Sequence, residues 1–84
     1  MSLPTPELVR DYIQSGLECE HIEVEGDGAH FEALIVSPAF EGKNRIRRHQ
    51  LVYAALGNRV DSGEIHALSM RTLTPEEYKA GANG

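Results

Sequence analysis

The chain is organised around one stretch, Phe40-Glu41-Gly42-Lys43-Asn44-Arg45-Ile46-Arg47-Arg48-His49-Gln50-Leu51-Val52-Tyr53-Ala54-Ala55-Leu56. It begins as a turn at Gly42 and continues with helical spacing of its apolar residues, so we predict a helix from about Lys43 to Arg59. The predicted apolar stripe of this helix is Ile46, Leu51 or Val52, Tyr53, Ala55, Leu56 and Val60. Four of the eight Lys and Arg residues of the chain fall between positions 43 and 48. The helix therefore combines a core-facing part with a basic start.

Length and composition indicate one small globular domain, which we place at residues 5–80 between tails at 1–4 and 81–84. The chain has 84 residues, 40% of them hydrophobic, and a formal net charge of −5. Its one cysteine, Cys19, has no intramolecular disulfide partner, which favours a reducing compartment. No signal peptide and no apolar run of the ~20 residues that a membrane span requires are visible. We therefore expect a cytoplasmic protein.

The first half of the chain predicts a helix followed by a β-hairpin. Thr5 and Pro6 form a helix start, and apolar spacing extends the helix from Pro6 to about Ser15. Residues 20–25 alternate between apolar and polar positions, and Gly26-Asp27-Gly28 is a strong turn signal. The following strand, His30 to Val36, ends in four successive apolar residues, which is typical of a central strand.

The second half predicts a turn, the helix already described, a third strand and a short helix. Ser37 caps a turn that Gly42 ends, residues 64–72 alternate as a strand, and Thr74-Pro75-Glu76-Glu77 is a capping box that starts a helix ending at Gly81. The second and third strands are parallel if they are adjacent, because a helix connects them. The predicted fold is α+β, with the order α-β-β-α(α)-β-α and helices on one face of a three-stranded mixed sheet.

Several segments in this order resemble the BolA family, and the short Gly-Asp-Gly hairpin resembles its YrbA/IbaG-like subgroup. The segments are 26–31 (GDGAHF), 36–43 (VSPAFEGK), 47–53 (RRHQLVY), 65–68 (IHAL) and 72–78 (TLTPEEY). The resemblance implies a type II KH-like fold and a non-enzymatic protein. It also implies a monothiol glutaredoxin as partner, with a [2Fe-2S] cluster shared between the two chains and glutathione, or a DNA-binding role in transcription regulation and the stress response.

The resemblance further implies that His66, in the segment Ile65-His66-Ala67, is a cluster ligand. Neutral imidazole is a known ligand of iron–sulfur clusters. For a second ligand we rank His30 first, then His21 as its neighbour across the hairpin, then Cys19. The alternative is a purely structural role, in which these histidines only pack or form hydrogen bonds.

The sequence predicts no metal site that this chain forms by itself. It contains no Cys-x-x-Cys, no His-x-x-x-His and no set of four thiolates. We therefore expect no cluster on the isolated chain, and expect a partner to supply the cysteine thiolates.

The basic residues Lys43, Arg45, Arg47 and Arg48 are the second candidate site. Positive charge at a helix start opposes the helix dipole, which suggests an anionic partner, protein or DNA. The alternative is a solvated face that pairs with Glu41 and its neighbours. The turn 41–44 lacks the second glycine of a Gly-x-x-Gly loop, so RNA binding of the KH type is not expected. A homodimer without metal is a third, weaker alternative, and we find no catalytic residues.

Overall fold

The computed structural model describes residues 5–57 and 67–81, and confirms the predicted α+β fold. The helices are α1 (Pro6–Gly16), α2 (Arg45–Leu56) and α3 (Pro75–Lys79), and a single 3-10 turn covers Pro38–Phe40. The strands are β1 (His21–Gly26), β2 (His30–Val36) and β3 (Ala67–Leu73). Of the predicted tails, residues 1–4 and 82–84 lie outside the described residues.

The three strands form a mixed sheet in the order β1-β2-β3, so β2 is central as predicted. β1 and β2 are antiparallel, from the pair His21 and Val36 to the pair Gly26 and Phe31. β2 and β3 are parallel, from the pair His30 and Ala67 to the pair Val36 and Leu73. The parallel pairing requires the intervening chain to return across the sheet, and α2 lies on that return.

The core lies between one face of the sheet and the helices α1 and α2. β2 contributes Phe31, Ala33 and Ile35, which alternate with exposed or partly exposed residues. The buried residues that pack against them are Val9 and Ile13 of α1, Val52 and Leu56 of α2, Leu17, and Phe40 of the 3-10 turn. Burying a side chain of this size stabilises the fold by about 1.5–3 kcal/mol.

Polar side chains cap the start of each helix, and three of the four caps stand at the predicted places. Thr5 caps α1, Ser37 caps the 3-10 turn, and Thr74 forms the predicted capping box with Glu77. The hydroxyl of Ser37 also donates to the carbonyl of Glu18, which joins the end of β2 to the loop after α1. The fourth cap, Asn44, accepts a hydrogen bond from the backbone N–H of Arg47 and starts α2.

The predicted bounds and apolar stripe of α2 need correction. The helix starts at Arg45 rather than Lys43, because Asn44 is its N-cap and Gly42 precedes it with a φ of 75°. It ends at Leu56 rather than Arg59, and Gly57 follows with a φ of 67°. Ile46 and Tyr53 do not belong to the buried stripe, since they are 67% and 42% exposed. Val52 and Leu56 of the predicted stripe, which lie one helical turn apart, are fully buried in the core.

Two strand bounds also differ from the prediction by one residue. β1 runs from His21 to Gly26 rather than from 20 to 25, and β3 ends at Leu73 rather than at residue 72. The predicted start of the third strand at residues 64–66, and Val60 of the predicted stripe, lie outside the described residues. None of the helices in the described ranges has the length and apolar composition of a membrane span.

Gly16 is the last residue of α1, one position beyond the predicted end, and it lies directly against Ala55 of α2. A Cβ atom on Gly16 would lie 2.8 Å from the Cα atom of Ala55 and 3.0 Å from its Cβ atom. Carbon atoms at that distance repel, and the backbone of Ala55 cannot move without shifting the whole helix. The packing of α1 on α2 therefore requires a residue with no side chain here.

We expect Gly16→Ala to lower the free energy of unfolding by about 1–3 kcal/mol, the usual cost of overpacking. Alanine is the better helix former, so propensity by itself predicts the opposite sign. Urea unfolding followed by circular dichroism measures the change. Gln14→Ala, at an exposed position of the same helix, is the control and should leave stability within about 0.5 kcal/mol. A stabilised Gly16→Ala variant would contradict the steric argument.

Candidate functional site

The hairpin turn holds the backbone of His30 in place. The carboxylate of Asp27 accepts hydrogen bonds from the backbone N–H groups of Ala29, at 3.0 Å, and of His30, at 2.9 Å. The N–H of Asp27 donates to the carbonyl of His30 at 3.2 Å. These backbone donors, His30 first, lower the pKa of Asp27 because they stabilise the ionised carboxylate. The His30 residue itself is exposed, so its ring is accessible from solvent.

The parallel pairing places His30 next to the start of β3. The register partner of His30 is Ala67, the first residue of that strand. Ala67 is also the residue that follows His66 in the chain. His66 lies outside the described residues, so its role as a ligand stays a prediction.

The sequence suggested that His21 is the neighbour of His30 across the hairpin. The strand register shows that it is not. His21 pairs with Val36 at the start of β1, whereas the turn joins the strands at Gly26, beside Phe31. The five residue steps between those pairs span about 17 Å. His21 and His30 are therefore too far apart to bind one metal centre.

His21 has local partners at its own end of the sheet. Its Nε2 atom forms a hydrogen bond with the carboxylate of Glu23. Its ring stacks on that of Tyr78, with centroids 5.2 Å apart and an interplanar angle of 21°. These contacts attach α3 to β1 and give His21 a structural role.

Cys19, the weakest ligand candidate, lies in the loop between α1 and β1, two residues before His21. It is partly buried, and its Sγ atom donates to the carbonyl of Leu17 at 3.3 Å. Burial raises the pKa of the Cys19 thiol, which disfavours the thiolate that binds metals. Among residues 5–57 and 67–81, no group of three or more His, Cys, Asp or Glu side chains is arranged to hold a metal ion.

Arg48 differs from the other basic residues because its guanidinium group is already engaged within the fold. It donates to both carboxylate oxygens of Glu77, at 2.8 and 3.2 Å. It also donates to the backbone carbonyls of Thr72, at 3.0 Å, and Lys43, at 2.8 Å. Its side chain is only 14% exposed and lies over the ring of Phe40. Arg48 thus connects α2 to the end of β3 and to α3.

The remaining basic residues at the start of α2 are exposed. Lys43, Arg45 and Arg47 stand at or before the first turn of the helix, with Ile46 exposed among them. The structure therefore leaves three of the four predicted cations on the surface. Sequence reasoning did not identify Glu77 as the partner of Arg48. The two residues are 29 positions apart, and the capping box already explained why Glu77 is present.

The Arg48–Glu77 pair should stabilise the fold only where Glu77 is ionised. The hydrogen bond from Arg48, followed by that from the backbone of Thr74, lowers the pKa of Glu77 below its ordinary value of 4.5. A lowered carboxyl pKa contributes stability above the value in the unfolded chain, and this contribution is lost as the pH falls through the folded value. Glu77→Gln keeps a side-chain acceptor for the N–H of Thr74 but removes the charge.

We expect Glu77→Gln to lower the melting temperature at neutral pH, and the difference from wild type to shrink as the pH falls below 4.5 and through the lowered pKa of Glu77. Thermal unfolding across this range measures it. Arg47→Ala, which removes an exposed arginine one position away, should cost less than Arg48→Ala at neutral pH. A difference between wild type and Glu77→Gln that does not depend on pH would contradict the ion-pair argument.

Asp27 should control the order of the backbone at His30. Asp27→Asn keeps an oxygen acceptor for the two N–H groups, whereas Asp27→Ala removes it. Amide hydrogen exchange at His30 should therefore be faster in Asp27→Ala and nearly unchanged in Asp27→Asn. The pKa of Asp27 is lowered from 3.8 in the folded chain, so its carboxylate stays ionised at pH 3.8. Protection of the His30 amide in wild type should therefore persist at pH 3.8 and be lost only at lower pH. Equal exchange rates in both variants would show that the carboxylate does not hold this turn.

Comparisons with known proteins agree with this fold over most of the chain. The family model described as BolA-like protein matches residues 6–77. Acid stress protein IbaG of Escherichia coli (strain K12) is 31% identical over 70 residues, 83% of each chain, in keeping with the predicted subgroup. BolA-like protein 2 of Homo sapiens is 40% identical over 77 residues, 86% of this chain and 87% of that protein.

A solved structure gives the same result. The structure of a bolA protein homologue from Coxiella burnetii matches with a TM-score of 0.78 and 45% sequence identity. The match covers 92% of this chain and 99% of that chain. The chain therefore belongs to the BolA family.

Proposed function

We propose that this chain is a non-enzymatic BolA-like adaptor that binds a monothiol glutaredoxin and shares a [2Fe-2S] cluster with it. In this proposal His66 and His30 are the ligands from this chain, and the role is iron–sulfur trafficking or iron sensing. The observation that carries the proposal is the register of β2 and β3, which pairs His30 with Ala67, the residue after His66. The other two candidates, His21 and Cys19, lie at the opposite end of the hairpin.

The donor set of the described residues fits a shared cluster better than one held by this chain. A [2Fe-2S] cluster takes four ligands, mostly cysteine thiolates, and histidine replaces cysteine in some clusters. The one thiol, Cys19, is partly buried with a raised pKa, and it precedes His21 at the end of the hairpin opposite to His30. A partner with glutathione must then supply the thiolates, while His30 offers an exposed imidazole beside β3.

The positions of the acidic residues support a binding protein rather than an enzyme. Glu23, Glu25 and Glu32 are exposed, and they lie on the face of the sheet opposite the core. They line an open depression of about 210 Å³ together with Ser69 and Arg71. Charged side chains on an exposed sheet face keep that face hydrated, which is their role in this proposal. The similarity to the acid stress protein IbaG of Escherichia coli supports a role of this chain in the stress response.

DNA binding is the alternative, and one observation favours it. Lys43, Arg45 and Arg47 are exposed together around the start of α2, a helix with backbone N–H groups directed outward. The engagement of Arg48 with Glu77 reduces the available charge to three cations. The overall charge of −5 also opposes binding to a polyanion. We therefore rank the adaptor first.

The test is cluster reconstitution with a monothiol glutaredoxin and glutathione under reducing conditions. The mixed complex of wild type should show a visible absorption spectrum different from that of the glutaredoxin by itself, because histidine replaces a thiolate ligand. His66→Ala should abolish this difference, and His30→Ala should reduce or abolish it. His21→Ala is the matched control and should keep the wild-type spectrum, since His21 lies about 17 Å away along the sheet.

Two results would contradict the proposal at different levels. If wild type and His66→Ala give the same spectrum, His66 is not a ligand. If His21→Ala changes the spectrum and His30→Ala does not, the assignment from the strand register is wrong. Melting temperatures of all three variants separate loss of a ligand from loss of folding.

A further inference from the structure

The outer edge of β3 presents backbone groups that can bind another strand. The carbonyl of Leu73 accepts from the N–H of Ser37 at 3.0 Å and so faces the β2 side. The carbonyl of Thr72 faces the opposite way, towards Arg48. Because backbone groups alternate in direction along a strand, those of Met70 and Leu68 also face outward. In the described part of the sheet, β3 pairs on one side with β2 and is an edge strand.

A groove of about 430 Å³ runs along this edge, between α2 and β3. Arg45, Arg48 and His49 line it from α2, and residues 70–73 line it from β3. Met70 and Leu73 are partly buried and give it an apolar component. The lining among the described residues contains three arginines and a histidine but no acidic side chain. Arg48 is paired with Glu77, which leaves the exposed guanidinium group of Arg45 and the imidazole of His49 on α2 as the lining groups that favour an acidic ligand.

We propose that this groove binds an extended acidic peptide segment of another protein, which adds to the edge of β3 as a fourth strand. The segment would form backbone hydrogen bonds with Met70 and Leu68, as in other cases of strand addition. Carboxylates on alternate residues of the segment would face Arg45 and His49. This inference does not depend on the cluster proposal, because it uses neither His30 nor His66.

Arg48 determines where the added strand stops. Its guanidinium group already satisfies the carbonyl of Thr72, so the ladder cannot continue through that acceptor. The same group is paired with Glu77, which leaves Arg45 and His49 to bind carboxylates of the segment. Within the described residues the available edge is therefore short, about four residues or 13 Å.

The edge favours a peptide over a nucleic acid. A strand edge offers alternating N–H donors and C=O acceptors, which complement another peptide backbone but not a phosphate chain, which only accepts. Single-strand nucleic-acid binders also use large aromatic rings for stacking, and the described lining of the groove contains no Phe, Tyr or Trp. Charge complementarity selects acidic segments among the peptides.

The test uses a blocked, fluorescein-labelled hexapeptide of alternating glutamate and valine. We expect it to raise fluorescence anisotropy on binding and to shift the amide NMR signals of Met70 and Leu68. Arg45→Glu combined with His49→Glu should weaken binding about tenfold or more, because like charges then face each other. Arg10→Glu, at an exposed arginine of α1 outside the groove, is the matched control and should leave affinity unchanged.

A second probe separates strand addition from simple charge attraction. The same peptide methylated on every backbone nitrogen keeps its carboxylates but cannot donate to β3. It should bind at least about tenfold more weakly than the parent peptide if the ladder forms. Equal binding of the two peptides would overturn the proposal. A second outcome would also overturn it: a single-stranded DNA oligomer shifts the amide NMR signals of Met70 and Leu68, and the acidic peptide does not.

Discussion

The parallel pairing of β2 with β3 is the constraint on which the rest of the structure depends. Two strands that run in the same direction cannot be joined by a tight turn, so the chain must return across the sheet between Val36 and Ala67. α2 lies on that return and buries Val52 and Leu56 against the core residues of β2. The same pairing brings His30 beside Ala67. One geometric requirement thus produces the core, the position of α2 and the candidate ligand site.

The two ends of the sheet have different chemistry. At the hairpin end, Asp27 organises the turn and leaves His30 exposed beside the start of β3. At the other end, His21 stacks on Tyr78, and Arg48 joins Glu77 to the end of β3. The second end uses its polar groups in contacts within the fold, so they stabilise the protein. The first end leaves an imidazole available to a partner.

The four basic residues at the start of α2 have different roles in the fold. In the sequence, four cations at 43–48 are equivalent. In the fold, Arg48 is largely buried and forms a bidentate ion pair, while Lys43, Arg45 and Arg47 remain exposed. Arg45 then belongs to a groove beside the edge of β3 rather than to a uniform basic face. The division follows from which side of α2 each residue occupies relative to β3 and α3.

The sequence by itself determined the element order, the central position of β2 and three of the four helix caps, because local periodicity and capping residues encode these directly. It misjudged the apolar stripe of α2, placing Ile46 and Tyr53 in the core, since the apolar residues of this helix do not lie on one face. Only the tertiary structure decided that His30 lies beside β3, that His21 lies at the far end of the hairpin and that Arg48 pairs with Glu77. Each depends on strand register or on contacts between residues far apart in the chain, which no local pattern specifies.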